Sequence, residues 1–237
     1  MTRRKGDDDE RIAPLAAQIA GRRAVLFAGA GLSACLGLPS WQGLIEKLGE
    51  DLGYDPAEFL GMGADFRSLT EFYRLEKKSL RTLRSWMERE WAVEDAVLRE
   101  SAAHSLIVRM GFPLMYTTNY DHLLERAFEL HGQRYNKMVT AKDVAQANPD
   151  LPTIVKFHGD IEDERSLIVS ESDYFRRAAF DDPLDIMLSA DALGRTLLSS
   201  RTATTCRRFC SSTHAGAVLV VPKSMPRTLL IVVEDGS

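Results

Sequence analysis

Short apolar runs alternate with amphipathic stretches along this chain, and their spacing predicts an α/β protein. Between Asp7 and Gly21, Ile12, Leu15 and Ile19 recur on one stripe, as on a surface helix. Ala24–Ala28 reads Ala-Val-Leu-Phe-Ala, apolar at every position like a strand buried on both faces, and runs straight into a glycine-rich turn. A second helix is predicted from Trp41 to Leu52. From Pro56 to His104 no strand pattern occurs. Phe66, Leu69, Tyr73, Leu83, Trp86, Met87, Trp91 and Leu98 recur there at helical spacing among charges, which predicts a helical insertion over 56–105 with the aromatics in its core.

Strands resume near Leu114, at Lys137–Thr140 and at Ile154–Phe157, with one more expected over Ser166–Val169. Helices are expected at Asp121–Leu130, capped by Asn119 or Asp121, at Ala141–Ala147, from Ser170 and from Asp182-Pro183. The alternation predicts a Rossmann-like α/β fold: a mostly parallel sheet with helices on both faces, a helical insertion, and a ligand crevice outside the strands' carboxyl ends. Three parts are expected: a disordered tail over 1–10, the α/β domain over 11–198, and an atypical segment over 199–237.

Composition narrows the class. At 237 residues and 45% hydrophobic content the chain can bury one sizeable core. A net charge of -4 gives no general pull toward nucleic acid. No apolar run approaches the roughly 20 residues of a membrane span, and the charged start has no apolar signal region, so the expected location is the cytoplasm. After Asp191 no acidic residue occurs until Glu234, and 197–214 is rich in Ser, Thr and Arg. That break implies either natural divergence or an altered coding frame near Leu198, although Val218–Val221 and Leu229–Val233 still read as strands.

The candidate chemistry begins at the glycine turn. Gly29 and Gly31 lack a Cβ, so a pyrophosphate can approach the backbone where the next helix aims its unpaired N–H groups. Ala34 completes a G-x-G-x-x-A pattern. A dehydrogenase would next place an acidic residue on a second strand, but Glu46, Glu50 and Asp51 fall in a helical pattern, which argues against hydride transfer.

Gly29-Ala30-Gly31-Leu32-Ser33, followed by Gly37-Leu38-Pro39 and Trp41, resembles the first motif of the sirtuin family. Thr117-Thr118-Asn119-Tyr120-Asp121 resembles the family's Thr-Gln-Asn-Ile-Asp, and His158-Gly159 its strand-borne His-Gly pair. The resemblance covers roughly 22–198 and implies NAD as the substrate. By that resemblance Gly29, Ala30, Gly31 and Ser33 cradle the phosphates, and Pro39 and Trp41 wall the nicotinamide pocket. Thr118 and Asn119 meet the ribose, with Asn119 holding a hydroxyl or orienting water; Asp121 braces the pocket, and His158 is the base.

Protein-deacylating sirtuins carry a zinc ribbon of two Cys-x-x-Cys pairs after His-Gly, whereas no cysteine occurs here between His158 and Leu198, and Trp41-Gln42 replaces the family's Phe-Arg. The chain is thus similar to the zinc-free bacterial defence branch. This implies no zinc and water as the acceptor: an NAD+ glycohydrolase releasing nicotinamide and ADP-ribose, whose depletion of NAD+ stops a phage-infected cell. A deacylase or ADP-ribosyltransferase, and a non-catalytic NAD or ADP-ribose sensor, stay open as alternatives, as do a homo-oligomer and a defence-system partner. His104, His122 and His131 lie in polar helical patterns and are expected to be solvated.

Overall fold

The computed structural model describes residues 5–39, 41–61, 65–178, 182–200, 215–220 and 228–235. Its elements follow in the order α1 (Lys5–Ala20), β1 (Ala24–Ala28), α2 (Ala30–Ala34), α3 (Trp41–Leu52), α4 (Pro56–Gly61), α5 (Phe66–Lys77), α6 (Arg81–Glu90), α7 (Asp95–Glu100), α8 (Ala102–Met110), β2 (Leu114–Thr117), α9 (Leu123–Leu130), β3 (Asn136–Met138), α10 (Ala141–Val144), β4 (Thr153–Lys156), α11 (Glu171–Arg177), α12 (Pro183–Gly194), β5 (Thr196–Ser200), β6 (Ala215–Val220) and β7 (Thr228–Asp235). The first helix starts at Lys5, inside the segment expected as a disordered tail.

The sheet order is β3-β4-β2-β1-β5-β7-β6, parallel throughout except that β6 runs antiparallel to β7 at the edge. From β1 the chain winds one way through β2, β3 and β4, then returns past β1 to β5. The carboxyl end of β1 therefore lies where the connections diverge, the usual place for a ligand crevice in such sheets.

Strand residues alternate between two cores, as the pleat requires. Leu26, Ala28, Met115 and Ile154 face one core with Ile107, Leu124 and Phe128. Val25, Tyr116 and Val155 face the other with Met138 and Leu184. With both faces covered, the apolar-throughout reading of β1 is explained.

The region from α3 to α6 is helical and builds a third core from Leu44, Leu48, Phe59, Leu69, Tyr73, Leu83 and Met87. That core also takes in Tyr120, Ile161, Leu167 and Val169, from the loops that follow β2 and β4. The helices are thus packed onto the segments that carry two of the three motifs.

Two local expectations are corrected. Ser166–Val169 forms no strand: a 3-10 turn over Glu164–Ser166 leads into a segment that crosses the sheet's edge, with Ile168 N donating to His158 O at 3.0 Å and Tyr120 Oη to Ile168 O at 2.7 Å. Conversely β5 was not foreseen, because Ser199 and Ser200 break its apolar pattern; it pairs with β1 from Ala24↔Thr196 to Ala28↔Ser200. No helix among the described residues is long and apolar enough to cross a membrane.

Candidate active site

Three adjacent strands deliver the three motifs to one edge. Ala28, Thr117 and Lys156 stand in register across β1, β2 and β4, so Gly29, Thr118 and Phe157 leave the sheet at one level, with Asn119 and His158 one residue beyond. Thr118 N donates to Ala28 O at 3.2 Å and Phe157 N to Thr117 O at 2.8 Å, which carries the pairing past the strand ends.

Gly29 is the N-cap of α2 in an extended conformation, so the glycine turn is a direct strand-to-helix step, with Leu32 N returning to Gly29 O at 3.0 Å. Gly29 and Gly31 are half-buried and Ala30 is exposed. Pro39 is half-buried ahead of α3, which opens at Trp41; the Trp41 side chain and Ser40 lie outside the described residues.

Ser33 is buried, and its hydroxyl is committed: it donates to Asp121 Oδ2 at 2.6 Å and accepts from Asn119 Nδ2 at 2.8 Å. A hydroxyl has one proton to give, so in this arrangement Ser33 ties the glycine turn to the second motif and has no donor left for a phosphate. Asp121 is buried as well, and its Oδ1 accepts from Leu123 N at 3.0 Å, fixing the start of α9. Asn119 Nδ2 also donates to Gly29 O at 3.2 Å, which uses both amide protons. Asn119 Oδ1 is therefore a buried acceptor, held in orientation by its own amide and left without a hydrogen-bond partner among the described residues.

His158 stands half-buried in an aromatic setting, its ring 5.5 Å from Tyr174 edge-on, 5.8 Å from Phe157 and 6.5 Å from Tyr120, centroid to centroid. No hydrogen bond to its ring nitrogens occurs among the described residues. Burial, reinforced by the Arg177 guanidinium and opposed by Asp185, lowers its pKa to about 4. Arg177 lies 4.4 Å over the Phe157 ring, donates to Phe157 O at 2.7 Å and pairs with Asp185. The imidazole is thus neutral at physiological pH, with a lower proton affinity than a free histidine.

Gly159 holds a positive φ of 90°. A Cβ there would strike the Ser166 carbonyl and come within 2.8 Å of Leu167 N. Only glycine lets the returning segment pass this close behind the His-Gly turn.

A ring of charges underlies the site, and sequence reasoning missed it. Lys156 is fully buried, its Nζ 3.0 Å from Glu125 Oε1 and 3.3 Å from Tyr120 O, and it also donates to Asp121 O. Desolvation raises the Glu125 pKa, against the pull of Lys156. A lone lysine inside the apolar run Thr-Ile-Val-Lys-Phe was the available signal.

Alongside, His122 Nε2 lies 2.7 Å from Asp160 Oδ1, joining the residue after the second motif to the residue after His-Gly. Burial pulls the His122 pKa down, but the bond to Asp160 outweighs it and the net shift is upward. Among the described residues, His122, Asp160 and Glu162 form the group with metal-ligand spacing. The Lys137 ammonium already lies between the two carboxylates, 3.0 Å from Asp160 Oδ2 and 2.9 Å from Glu162 Oε2.

The expectation that the other histidines are solvated is corrected. His104 is 0% exposed, and burial lowers its pKa to about 4. His122 is the half-buried partner of Asp160, and His131 Nε2 lies 3.0 Å from Ser105 Oγ. Polar neighbours along a helix do not reveal what packs across it.

Comparison with known proteins agrees with the motifs. Residues 113–200 match the model of the SIR2-like domain. The chain is 29% identical over 182 residues to the NAD(+) hydrolase ThsA of Bacillus cereus (strain MSX-D12), an alignment covering 76% of this chain and 37% of that protein. It is 29% identical over 180 residues to the NAD(+) hydrolase ThsA of Enterococcus faecium, covering 74% and 36%. It is also 25% identical over 170 residues to Defense-associated sirtuin 2 of Bacillus subtilis, covering 63% and 15%. The chain thus spans little more than a third of the ThsA relatives' length. The sirtuin-like resemblance is borne out, on the side of bacterial defence proteins.

Proposed function

We propose that this sirtuin-like domain is an NAD+ glycohydrolase that breaks the nicotinamide–ribose bond and transfers ADP-ribose to water. The observation that carries the reading is the meeting of Asn119, His158 and the Gly29 turn at one sheet edge, with the buried Asn119 acceptor oxygen left without a hydrogen-bond partner among the described residues. The names of the relatives support the substrate and the reaction.

The chemistry asks little nucleophilic push from the protein. The C–N bonding pair leaves with neutral nicotinamide, and the ribose ring oxygen shares the positive charge left on C1′. Water then adds at C1′ and gives up a proton. Asn119 Oδ1 accepts from a ribose hydroxyl or from that water, and His158, neutral by burial, receives a proton from the same pair of groups. The main chain at Gly29, Ala30 and Gly31 faces the pyrophosphate at the start of α2, while Pro39 and Trp41 wall the nicotinamide. Thr118 flanks the ribose. Ser33 and Asp121 act one step back, by fixing the Asn119 amide.

In the cell this reaction serves anti-phage defence by depleting NAD+, in the cytoplasm and within a homo-oligomer or a complex with a defence-system partner. The test is incubation with NAD+ alone, with the protein by itself and assembled with candidate partners. Nicotinamide and ADP-ribose in equal amounts are expected. Nicotinamide release that waits for an acylated peptide or protein acceptor would refute hydrolysis in favour of transfer.

A further inference from the structure

We infer that Lys156 is a positioning residue: its buried ammonium clamps the Tyr120 and Asp121 carbonyls to the end of β4 and so fixes Asn119 relative to His158. This rests on the proposed hydrolysis, because the two groups it aligns are the ones assigned to the reaction.

The geometry makes the case. Lys156 is 0% exposed and Glu125 3% exposed, so both charges have left water, at a cost that mutual attraction seldom recovers. An apolar pair of similar size would fill the space without that cost, so the ion pair by itself gives no reason for a lysine here. What an apolar side chain cannot do is donate to the Tyr120 and Asp121 carbonyls. Those peptides follow Asn119 directly, and Lys156 itself stands two residues before His158. One ammonium therefore spans the two segments at the point where each leaves the sheet. Glu125, reaching in from α9, supplies the counter-charge at 3.0 Å.

The experiment pairs Lys156→Met with Glu125→Leu, so that no charge is stranded, and compares this double variant with Glu125→Asp, which keeps the counter-charge, the ammonium and both carbonyl contacts. Nicotinamide release is measured against NAD+ concentration, binding by calorimetry with ADP-ribose, and the His158 imidazole signals by NMR. For a displacement near 1 Å the double variant is expected to lose about 10²-fold in kcat, with KM and ADP-ribose affinity within about threefold of the parent. Its His158 signals shift, whereas Glu125→Asp stays within about threefold in kcat and keeps them.

A folded double variant with the parent's kcat and unmoved imidazole signals would overturn the clamp, as would equal losses of turnover and binding. So would a 10²-fold loss in a folded Glu125→Asp that keeps the parent's imidazole signals, which decides the matter if the double variant does not fold. A parent that turns over no NAD+ strikes the hydrolase reading instead, and the imidazole signals then judge the clamp alone.

Discussion

Replacing Gly159 by Ala tests the geometry behind the His-Gly turn most directly. The left-handed conformation at φ 90° costs an L-residue about 1–2 kcal/mol. The added methyl meets backbone, the Ser166 carbonyl and Leu167 N, not the flexible end of a side chain, so the segment itself must move. Overpacking of this kind adds about 1–3 kcal/mol. The sum, near 3 kcal/mol, lowers the thermal midpoint of a chain this size by roughly 6–12 °C. The Ile168 N to His158 O bond lies in the path of that movement, so the imidazole shifts as well, and a shift near 1 Å costs about 10²-fold in turnover. Calorimetry and nicotinamide release on the same preparation read both effects. A Gly159→Ala protein with an unchanged midpoint and full turnover would refute the close-approach argument.

His158→Ala is expected to lose about 10²–10⁴-fold in kcat while binding ADP-ribose within a few-fold of the parent; preserved turnover would remove the imidazole from the mechanism. Because burial holds His158 near pH 4, activity should not fall with a midpoint at 6.5 as pH drops, and a profile that does so contradicts the buried setting. His104 and His158 both have folded pKa values below that of a free histidine, so the unfolded chain binds more protons between about pH 6.5 and 4. Their stabilisation is fully present above 6.5 and is lost as pH falls through that window, by at most about 1.4 kcal/mol per pH unit for each, which denaturant titrations of His104→Gln against the parent would measure. His122, raised by Asp160, works in the opposite sense, its stabilisation being lost as pH rises through its folded pKa. Ser33→Ala strands a buried carboxylate oxygen and an amide proton; about 1–3 kcal/mol of stability should go, together with turnover. Weakened NAD+ binding at unchanged stability would mean instead that Ser33 contacts the phosphates.

The sequence made the site legible where the chemistry is local. Gly29-x-Gly31, Thr117–Asp121 and His158-Gly159 each follow a strand, and their convergence follows from parallel strands sharing one carboxyl edge. What joins them was not legible. The partners of Ser33, Lys156 and Asp160 lie 88, 31 and 38 residues away, brought close only by strand order and register, which leave no periodic trace. The same holds for His104, whose helix reads as polar while its ring faces the core. β5 was hidden for a different reason: a central strand held on both sides by backbone bonds tolerates Ser and Thr that an apolar search rejects.

The third core has a mechanical corollary. Because Tyr120, Ile161 and Leu167 are interior residues of the helical region as well as parts of the loops that follow β2 and β4, no slip plane separates the helices from those loops. A force or a binding event that tilts α5 and α6 must drag both loops with it or pull its own interior apart. The region and the two candidate-site loops thus share one interior and move as one body.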